Sequence, residues 1–409
     1  MDSNIISLLR VPGFRVQDVQ LSGEVITIAV RKRSKTARCP CGKRSKILHS
    51  YLKERKILHM TLSLQKVYLK LQKRRFTCDS CGKTFTESIS FLQPRARMSI
   101  YVQQEALDKL SDTSFQKTTK RTGISYGSLV NLLKKVFSLE TIDWDMQEVE
   151  EKIRLGIDEH HFGKKHKYLT TIANLLTGKP IHILTKTTKV AVKEFLCSLP
   201  ESVKEKIDEV VVDMRDSFIE AVKEALPNTH IVIDHFHIIQ DANRRIQEAR
   251  KIEEDVEEKI KGNGIKSIPW KLLTRNKEDL KGEQSQVVRY YLQRFPILGT
   301  FYSVKEKLRD MYKLGTKEEA DTLLTDLIKQ MRDTDHPELW KWARTLTKYK
   351  PYILNYFDHH STNATTEGLH RKFKLIQRTA FGFRNPEVYA RRIMLACLPL
   401  SFFLAKLPH

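Results

Sequence analysis

Between Ile153 and Phe236 the apolar residues change rhythm in an order that few folds satisfy. RLGIDEHHF (154–162), YLTTIANLL (168–176) and PIHILTK (180–186) are three short strand patterns separated by brief turns. KVAVKEFLCSLP (189–200) then reads as a helix and EVVVDM (209–214) as a buried strand. SFIEAVKEAL (217–226) follows as a second helix and THIVIDHF (229–236) as a last strand. Such a meander, followed by alternating helix and strand, calls for an α/β sheet whose later strands run parallel. The spacing predicts an α/β core over residues 152–237.

Acidic residues sit where such a sheet keeps its chemistry. Asp158 lies in the first strand, where alternation puts it on the opposite face from Glu159. Asp213 closes EVVVD at the carboxyl edge, where open α/β sheets place their sites. Asp234 ends the next strand and is the rival to Asp213. A third acid lies far along the chain, in STNATTEGLHRKFKLIQR (361–378). Asn363, Glu367, Arg371, Lys374 and Arg378 recur at helical steps, on one face of one helix. The plain reading of that face is a solvated helix with a Glu367–Arg371 ion pair. The functional reading gives Glu367 to a metal, and Arg371, Lys374 and Arg378 to DNA phosphates. Asp158, Asp213 and Glu367 form a hard oxygen set able to hold two Mg²⁺ (or Mn²⁺) ions for in-line phosphoryl displacement. Asp234, His237 and Asn363 are candidates to orient those ligands. Among familiar motifs, no Walker loop, dinucleotide glycine motif or Ser-His-Asp arrangement competes.

Charge points to the same class of partner. The 409 residues, enough for two to four structural units, carry 72 Lys and Arg against 49 Asp and Glu, a formal +23 that favours a polyanion. Residues 31–97 hold 19 of those cations but only Glu54, Asp79 and Glu87 as acids, so the excess is local. Residues 1–95 read as a small β-rich DNA-binding unit, with KVYLKLQKRRFTC (66–78) as one alternating apolar and basic segment. Cys39-Pro-Cys41-Gly and Cys78-x-x-Cys81-Gly-Lys flank that segment, and two such knuckles complete a tetrahedral structural Zn²⁺ site. His49 and His59 are alternative ligands, whereas Cys197 and Cys397 sit in apolar helical contexts and read as core. The N-terminal MDSNIISLLRVPGF lacks a signal-peptide pattern and no run of about eighteen apolar residues occurs, so a cytoplasmic, chromosome-associated protein without a membrane partner is expected.

Residues 100–138 switch to helical spacing. SFQKTTKRTGISYGSLVNLLKKVF (114–137) reads as a helix-turn-helix around Gly123, with Ser125 capping the second helix and Leu129, Leu132 and Leu133 facing inward. Tyr126, Ser128, Asn131 and Lys134 are the residues expected to read a major groove. Acids at 143, 145, 148, 150 and 151 form a polar link. Residues 238–360 are nearly all helical by periodicity, an insertion rather than a loop, and 361–409 return as C-terminal core helices with the third acid. Trp270, Trp340 and Trp342 in the insertion read mainly as core, with base stacking as the alternative.

Taken together, CPCG with CDSCGKTF, GIDEHHFGKKHKYLT, VVVDMRDSF, VIDHFH and NATTEGLHRKFKLIQRTAFGFRN resemble the DDE transposases of bacterial insertion sequences, most closely the ISL-three family. Glu367 and Lys374 match a Glu-x6-Lys spacing of such enzymes, and Asp234-x-x-His237 resembles a signature that follows their second acid. CPCG departs from the CPxCG usual in the family. The resemblance implies an α/β ribonuclease-H-like catalytic domain with a large all-α insertion, preceded by a zinc ribbon and a helix-turn-helix. It also implies Asp158, Asp213 and Glu367 as catalytic metal ligands, terminal inverted repeats and target DNA as partners, and a homodimer or higher oligomer on DNA. A metal-dependent nuclease or resolvase, and a DNA-binding regulator derived from a transposase, are the rival readings.

Overall fold

The computed structural model describes residues 6–139, 151–163, 168–261 and 268–407. The acidic link lies outside these residues except for Glu151. The described residues form two compact units: one holds 6–139, Gly163 and 371–407, the other 151–162 and 168–370.

The first unit begins with a mixed four-stranded sheet. Strands β1 (Phe14–Ser22), β2 (Val25–Lys32), β6 (Arg55–Leu62) and β7 (Gln65–Leu71) stand in the order β1-β2-β7-β6, with β2 and β7 parallel. Its inner face carries Phe14, Ile28, Ile57 and Leu69, which pack with Phe91 in one buried cluster. At about 1.5–3 kcal/mol per fully buried side chain, that core sustains a sheet of this size without a metal.

The ribbon is a separate, smaller assembly. A two-stranded ladder pairs β3 (Ala37–Arg38) with β4 (Arg44–Ser45), and β5 (Ile47–Tyr51), β8 (Arg74–Thr77) and β9 (Thr84–Thr86) form a three-stranded sheet. Residues 66–78 are therefore two strands in two sheets, not one segment. The inward set moves from Val67, Leu69 and Leu71 to Phe76 and Cys78, a change of parity that carries the chain from one sheet into the next.

Helices Ile100–Asp112, Phe115–Thr122 and Tyr126–Val136 follow. Ser99, Ser114 and Ser125 cap them, and Gly123 (φ 74°) turns the chain between the second and third. Leu129, Leu132 and Leu133 are buried, as their spacing predicts. The C-terminal helices Pro386–Cys397 and Leu400–Leu404 complete this same unit. Arg392 Nη2 donates to Ser111 O at 2.8 Å, and Phe137 meets the rings of Phe402 and Phe403 at 6.4 and 6.1 Å. Only 361–370 of the expected C-terminal core segment groups with the α/β residues, because long-range packing claims the remainder for the helices at 100–136.

The second unit carries the α/β sheet in the predicted order. Strands β10 (Ile153–His161), β11 (Tyr168–Asn174) and β12 (Lys179–Leu184) form the antiparallel meander. β13 (Ile207–Val212) and β14 (His230–Ile233) run parallel to β10, giving the order β12-β11-β10-β13-β14. Helices Lys189–Cys197 and Asp216–Ala225 are joined by the 2.7 Å pairs Lys189–Glu220 and Lys193–Glu224. After β14 the chain is helical from His235–Lys261 to Tyr356–His359, broken by short connections. Tyr349 Oη donates to Asp216 Oδ1 at 2.8 Å and Asn355 Nδ2 to Ile231 O at 2.9 Å, so the helical segment is tied back to the sheet at its end. Trp342 is wholly buried and stacks on Phe301 at 5.8 Å, a core residue; the indole N–H of Trp340 is bonded to Arg332 O and Thr334 O.

Candidate metal centres

The ribbon brings all four cysteines together. Their Sγ atoms lie within 4.8 Å of one another, with Cys39–Cys81 at 3.7 Å and Cys41–Cys78 at 3.6 Å. A tetrahedral ion with Zn–S bonds of about 2.3 Å requires sulfur separations of about 3.8 Å, so the donor set fits zinc. The short first knuckle works because its turn is one residue tighter. Gly42 N–H returns to Cys39 O, whereas Gly82 N–H returns to Cys78 O across one more residue, both at 2.9 Å. Both glycines have positive φ, 92° and 70°, which the turns need. Backbone N–H groups of Cys81 and Ser80 lower the Cys78 thiol to about 7. At Cys39 the Cys41 N–H acts downward, but burial and the neighbouring thiols prevail and push it up to about 12, so the crowded sulfurs share protons until an ion replaces them. Neither histidine substitutes for a cysteine. His49 is exposed and meets Ser50 at 3.1 Å, and His59 is fully buried, donating from Nε2 to Leu9 O at 2.6 Å.

The second centre is built by the parallel pairing of β10 and β13. Their register ends at Ile157↔Val212, so Asp158 and Asp213 emerge side by side from adjacent strands. Asp234 N–H extends the β14 ladder to Val212 O at 3.1 Å, and the helix that starts there turns His237 back toward Asp213. Asp158, Asp213 and His237 present ligand atoms within 4.8 Å of one another. His237 Nε2 is 2.6 Å from Asp213 Oδ1. Burial first, and then the charge of Asp213, push the Asp158 carboxyl up to about 8. For His237 burial acts downward, but the Asp213 hydrogen bond and the surrounding carboxylates prevail and raise it to about 9. Closely spaced carboxylates that resist ionisation together are a vacancy of charge that divalent cations satisfy.

The helix Ala364–Thr379 approaches the same centre, because β10 has no side chain at Gly156. A Cβ there would come within 2.6 Å of Asn363 Oδ1, Thr366 Oγ1 and Leu175 Cδ2. This close approach places His370 against Asp158, Nδ1 to Oδ2 at 3.4 Å, with Nε2 2.9 Å from Thr171 Oγ1. Glu367, one turn earlier, is exposed and is not in the trio of potential ligands among the described residues. His370 is the contact that the sequence reading missed; the Glu367-x-x-His370 spacing, one turn of helix, is the signal that points to it. Asn363 is buried, and Asp234 is buried behind Asp213 with its Oδ1 3.4 Å from His235 Nδ1.

A cleft of ≈ 640 Å³ opens beside Asp213 and His237, lined also by Glu159, Arg215, Gln240 and Arg244. Arg215 pairs with Glu159, and Arg244 with Asp241 and Glu248 at 2.5 and 2.6 Å. Arg371, Lys374 and Arg378 are exposed along their helix. Among the groove-reading candidates, Asn131 and Lys134 are exposed and Ser128 is half-buried, its N–H given to Ser125 Oγ at 3.3 Å. Tyr126 is also exposed, at the first turn of the helix, with its ring 5.0 Å from that of Phe115.

Comparison with known proteins identifies the family. The ISL3 family model of DDE transposases, described as "Transposase", matches residues 155–393, and a model for the zinc-finger of transposases IS204/IS1001/IS1096/IS1165 matches residues 35–81. The chain is 23% identical over 389 residues to the transposase for insertion sequence element IS1001 of Bordetella parapertussis, covering 93% of this chain and 94% of that one. It is 26% identical over 277 residues, 62% of each chain, to the transposase for IS1557 of Mycobacterium tuberculosis. The chain belongs to the ISL3, or ISL-three, family of transposases.

Proposed function

We propose that this transposase binds the terminal inverted repeats of its insertion sequence and carries out metal-dependent strand cleavage and strand transfer at Asp158, Asp213 and Glu367. The observation that carries the reading is the placement of Asp158 and Asp213 side by side just past the last paired residues of two adjacent parallel strands, where burial and mutual repulsion push the Asp158 carboxyl up to about 8. The sheet order, with three antiparallel strands followed by two parallel ones, supports a ribonuclease-H-like catalytic fold interrupted by an all-α insertion.

Two Mg²⁺ or Mn²⁺ ions, when bound, would stabilise the attacking and leaving oxygens of the phosphoryl displacement. Asp158 and Asp213 would hold them. His370 against Asp158 brings the Glu367 helix to the same site, and Glu367 supplies the third carboxylate. His237 fixes the Asp213 carboxylate by its 2.6 Å contact, and Asp234 maintains the negative field behind both. Lys374, Arg371 and Arg378, one to three turns beyond Glu367, supply cations for DNA phosphates.

In the first unit, the capped helices Phe115–Thr122 and Tyr126–Val136 act as a helix-turn-helix, with Tyr126, Ser128, Asn131 and Lys134 toward the major groove and the zinc ribbon adding basic backbone contacts. The active assembly on DNA is a homodimer or higher oligomer, since two element ends must be held together. The proposed domain limits are the ribbon unit at 1–95, the helix-turn-helix at 100–138, the catalytic core at 152–237 and the insertion at 238–360, with 361–370 returning to the core.

The test is Mg²⁺-dependent cleavage and joining of a labelled duplex carrying the element's own ends, wild type against Glu367→Ala. Cleavage and joining by wild type, with a loss of about 10³-fold or more in the variant, supports the reading, since a lost metal ligand removes several kcal/mol of transition-state stabilisation. Cleavage without joining assigns a nuclease, and binding with neither assigns a DNA-binding regulator.

A further inference from the structure

The helix Ala364–Thr379 ends in a backbone motif that normally requires glycine. Phe381 N–H returns to Arg378 O at 3.0 Å and Gly382 N–H to Gln377 O at 2.8 Å, the paired bonds of a Schellman cap. The left-handed residue of that cap is Phe381, at φ 57°, a conformation that crowds any side chain and that glycine adopts freely. Its side chain recovers nothing by packing, because Phe381 is 92% exposed. A large apolar ring is thus held in solvent, on a backbone that disfavours it.

What surrounds the ring explains what it is for. Phe381 stands at the rim of a cleft of ≈ 760 Å³ within the first unit, lined also by Phe115, Gln116, Lys120, Tyr126 and Arg384. The floor is aromatic: Phe115 meets Tyr126 at 5.0 Å and Phe383 at 6.3 Å, and Phe383 meets Tyr389 at 4.8 Å. The cations Lys120 and Arg384 are exposed at the edge, and none of the lining residues is acidic. Flat aromatic faces beside cations, with polar side chains such as Gln116 between them, match a nucleobase and its flanking phosphates. The wall of the cleft is the helix Phe115–Thr122, which the proposed function places on DNA.

We infer that this cleft takes an unpaired nucleobase of bound DNA, with Phe381 stacking on the base or filling the gap it leaves, and Lys120 and Arg384 holding the adjacent phosphates. The inference rests on the DNA-binding reading of the first unit.

The experiment compares the full-length protein on two otherwise identical duplexes, one fully paired and one with a single central unpaired 2-aminopurine. Wild type should bind the second about 10-fold more tightly, as expected for one stacked base, and change its fluorescence on binding. Phe381→Ala should bind both duplexes equally, Phe381→Trp should keep the preference, and Lys120→Ala with Arg384→Ala should weaken both. Phe381→Gly should abolish the preference while raising the melting temperature, which separates a functional ring from a structural one. Equal affinity of wild type for both duplexes, or a preference that survives Phe381→Ala, overturns the inference and leaves duplex binding intact. Failure to bind either duplex overturns the DNA-binding reading and this inference together.

Discussion

His237 reaches back across the first turn of its helix to stand 2.6 Å from Asp213, while Asp158 emerges from the neighbouring strand into the same space. Both Asp158 and His237 bind protons more tightly folded than unfolded, at about 8 against an ordinary 3.8 and about 9 against 6.5. A raised folded value gives stability that is complete below the ordinary pKa and lost as pH rises through the folded one. Without metal, the melting temperature of the catalytic unit should therefore fall from about pH 4 to 8 through Asp158 and from about 6.5 to 9 through His237. Mg²⁺ or Mn²⁺ should restore it, most strongly at the alkaline end, and release protons on binding. Calorimetry in two buffers of different ionisation enthalpy measures that release; metal binding without proton loss near neutral pH would refute the coupling.

The ribbon depends on its ion in a way the neighbouring sheet does not. Its own core is Ala37, Phe76 and Phe85 around Cys39 and Cys78, too little to hold two small sheets together. Cys78→Ser should remove bound zinc and open residues 37–45 and 76–85 to hydrogen exchange, while Ile57 and Leu69 in the four-stranded sheet stay protected. Protection that persists in a zinc-free variant would show that the ribbon folds without metal.

His59 makes the first unit acid-sensitive. It is fully buried between Phe91 and Tyr101, 5.5 Å from each ring, and burial lowers its pKa despite the Leu9 carbonyl contact. A base with a depressed folded pKa contributes stability above its ordinary value of 6.5 and loses it as pH falls below. Urea unfolding of the first unit should shift to lower midpoints as pH falls below about 6.5, and His59→Phe should flatten that dependence. An unchanged pH profile in the variant would place the sensitivity elsewhere.

Gly156→Ala tests how the third acid is delivered. The new methyl would stand 2.6 Å from Asn363, Thr366 and Leu175, displacing the start of the Glu367 helix from β10. Overpacking of this kind costs about 1–3 kcal/mol, so the fold should survive with a melting temperature a few degrees lower. Cleavage should nevertheless fall by about 10²-fold, the price of a misplacement on the ångström scale. Full activity with the same thermal loss would show that Glu367 does not depend on this approach.

Much of the catalytic half is legible along the chain because its pattern is local. The apolar alternation of β10–β14 places Asp158 and Asp213 at strand positions without any knowledge of pairing, and the four-residue steps from Asn363 to Arg378 define a helix face. What the sequence hides is non-local. Nothing in PEVYARRIMLAC indicates that Arg392 will reach Ser111, since the partner carbonyl lies 281 residues away. The division of residues 66–78 between two sheets is masked by alternation that continues through a change of phase, and His59 reads as a metal ligand until its neighbours show that it is core. His370 is obscured for another reason: its contact with Asp158 depends on a missing side chain, at Gly156, in a different element.

The return of the last helices to the first unit sets a schedule for the protein's synthesis. The helices at 100–136 leave the ribosome long before Arg392, Phe402 and Phe403, which finish their packing. A prematurely terminated chain thus carries the ribbon and the helices at 100–136 without the residues that close their core. Early termination therefore leaves a first unit with an unfinished core, open to unfolding and proteolysis rather than able to persist as a stable fragment.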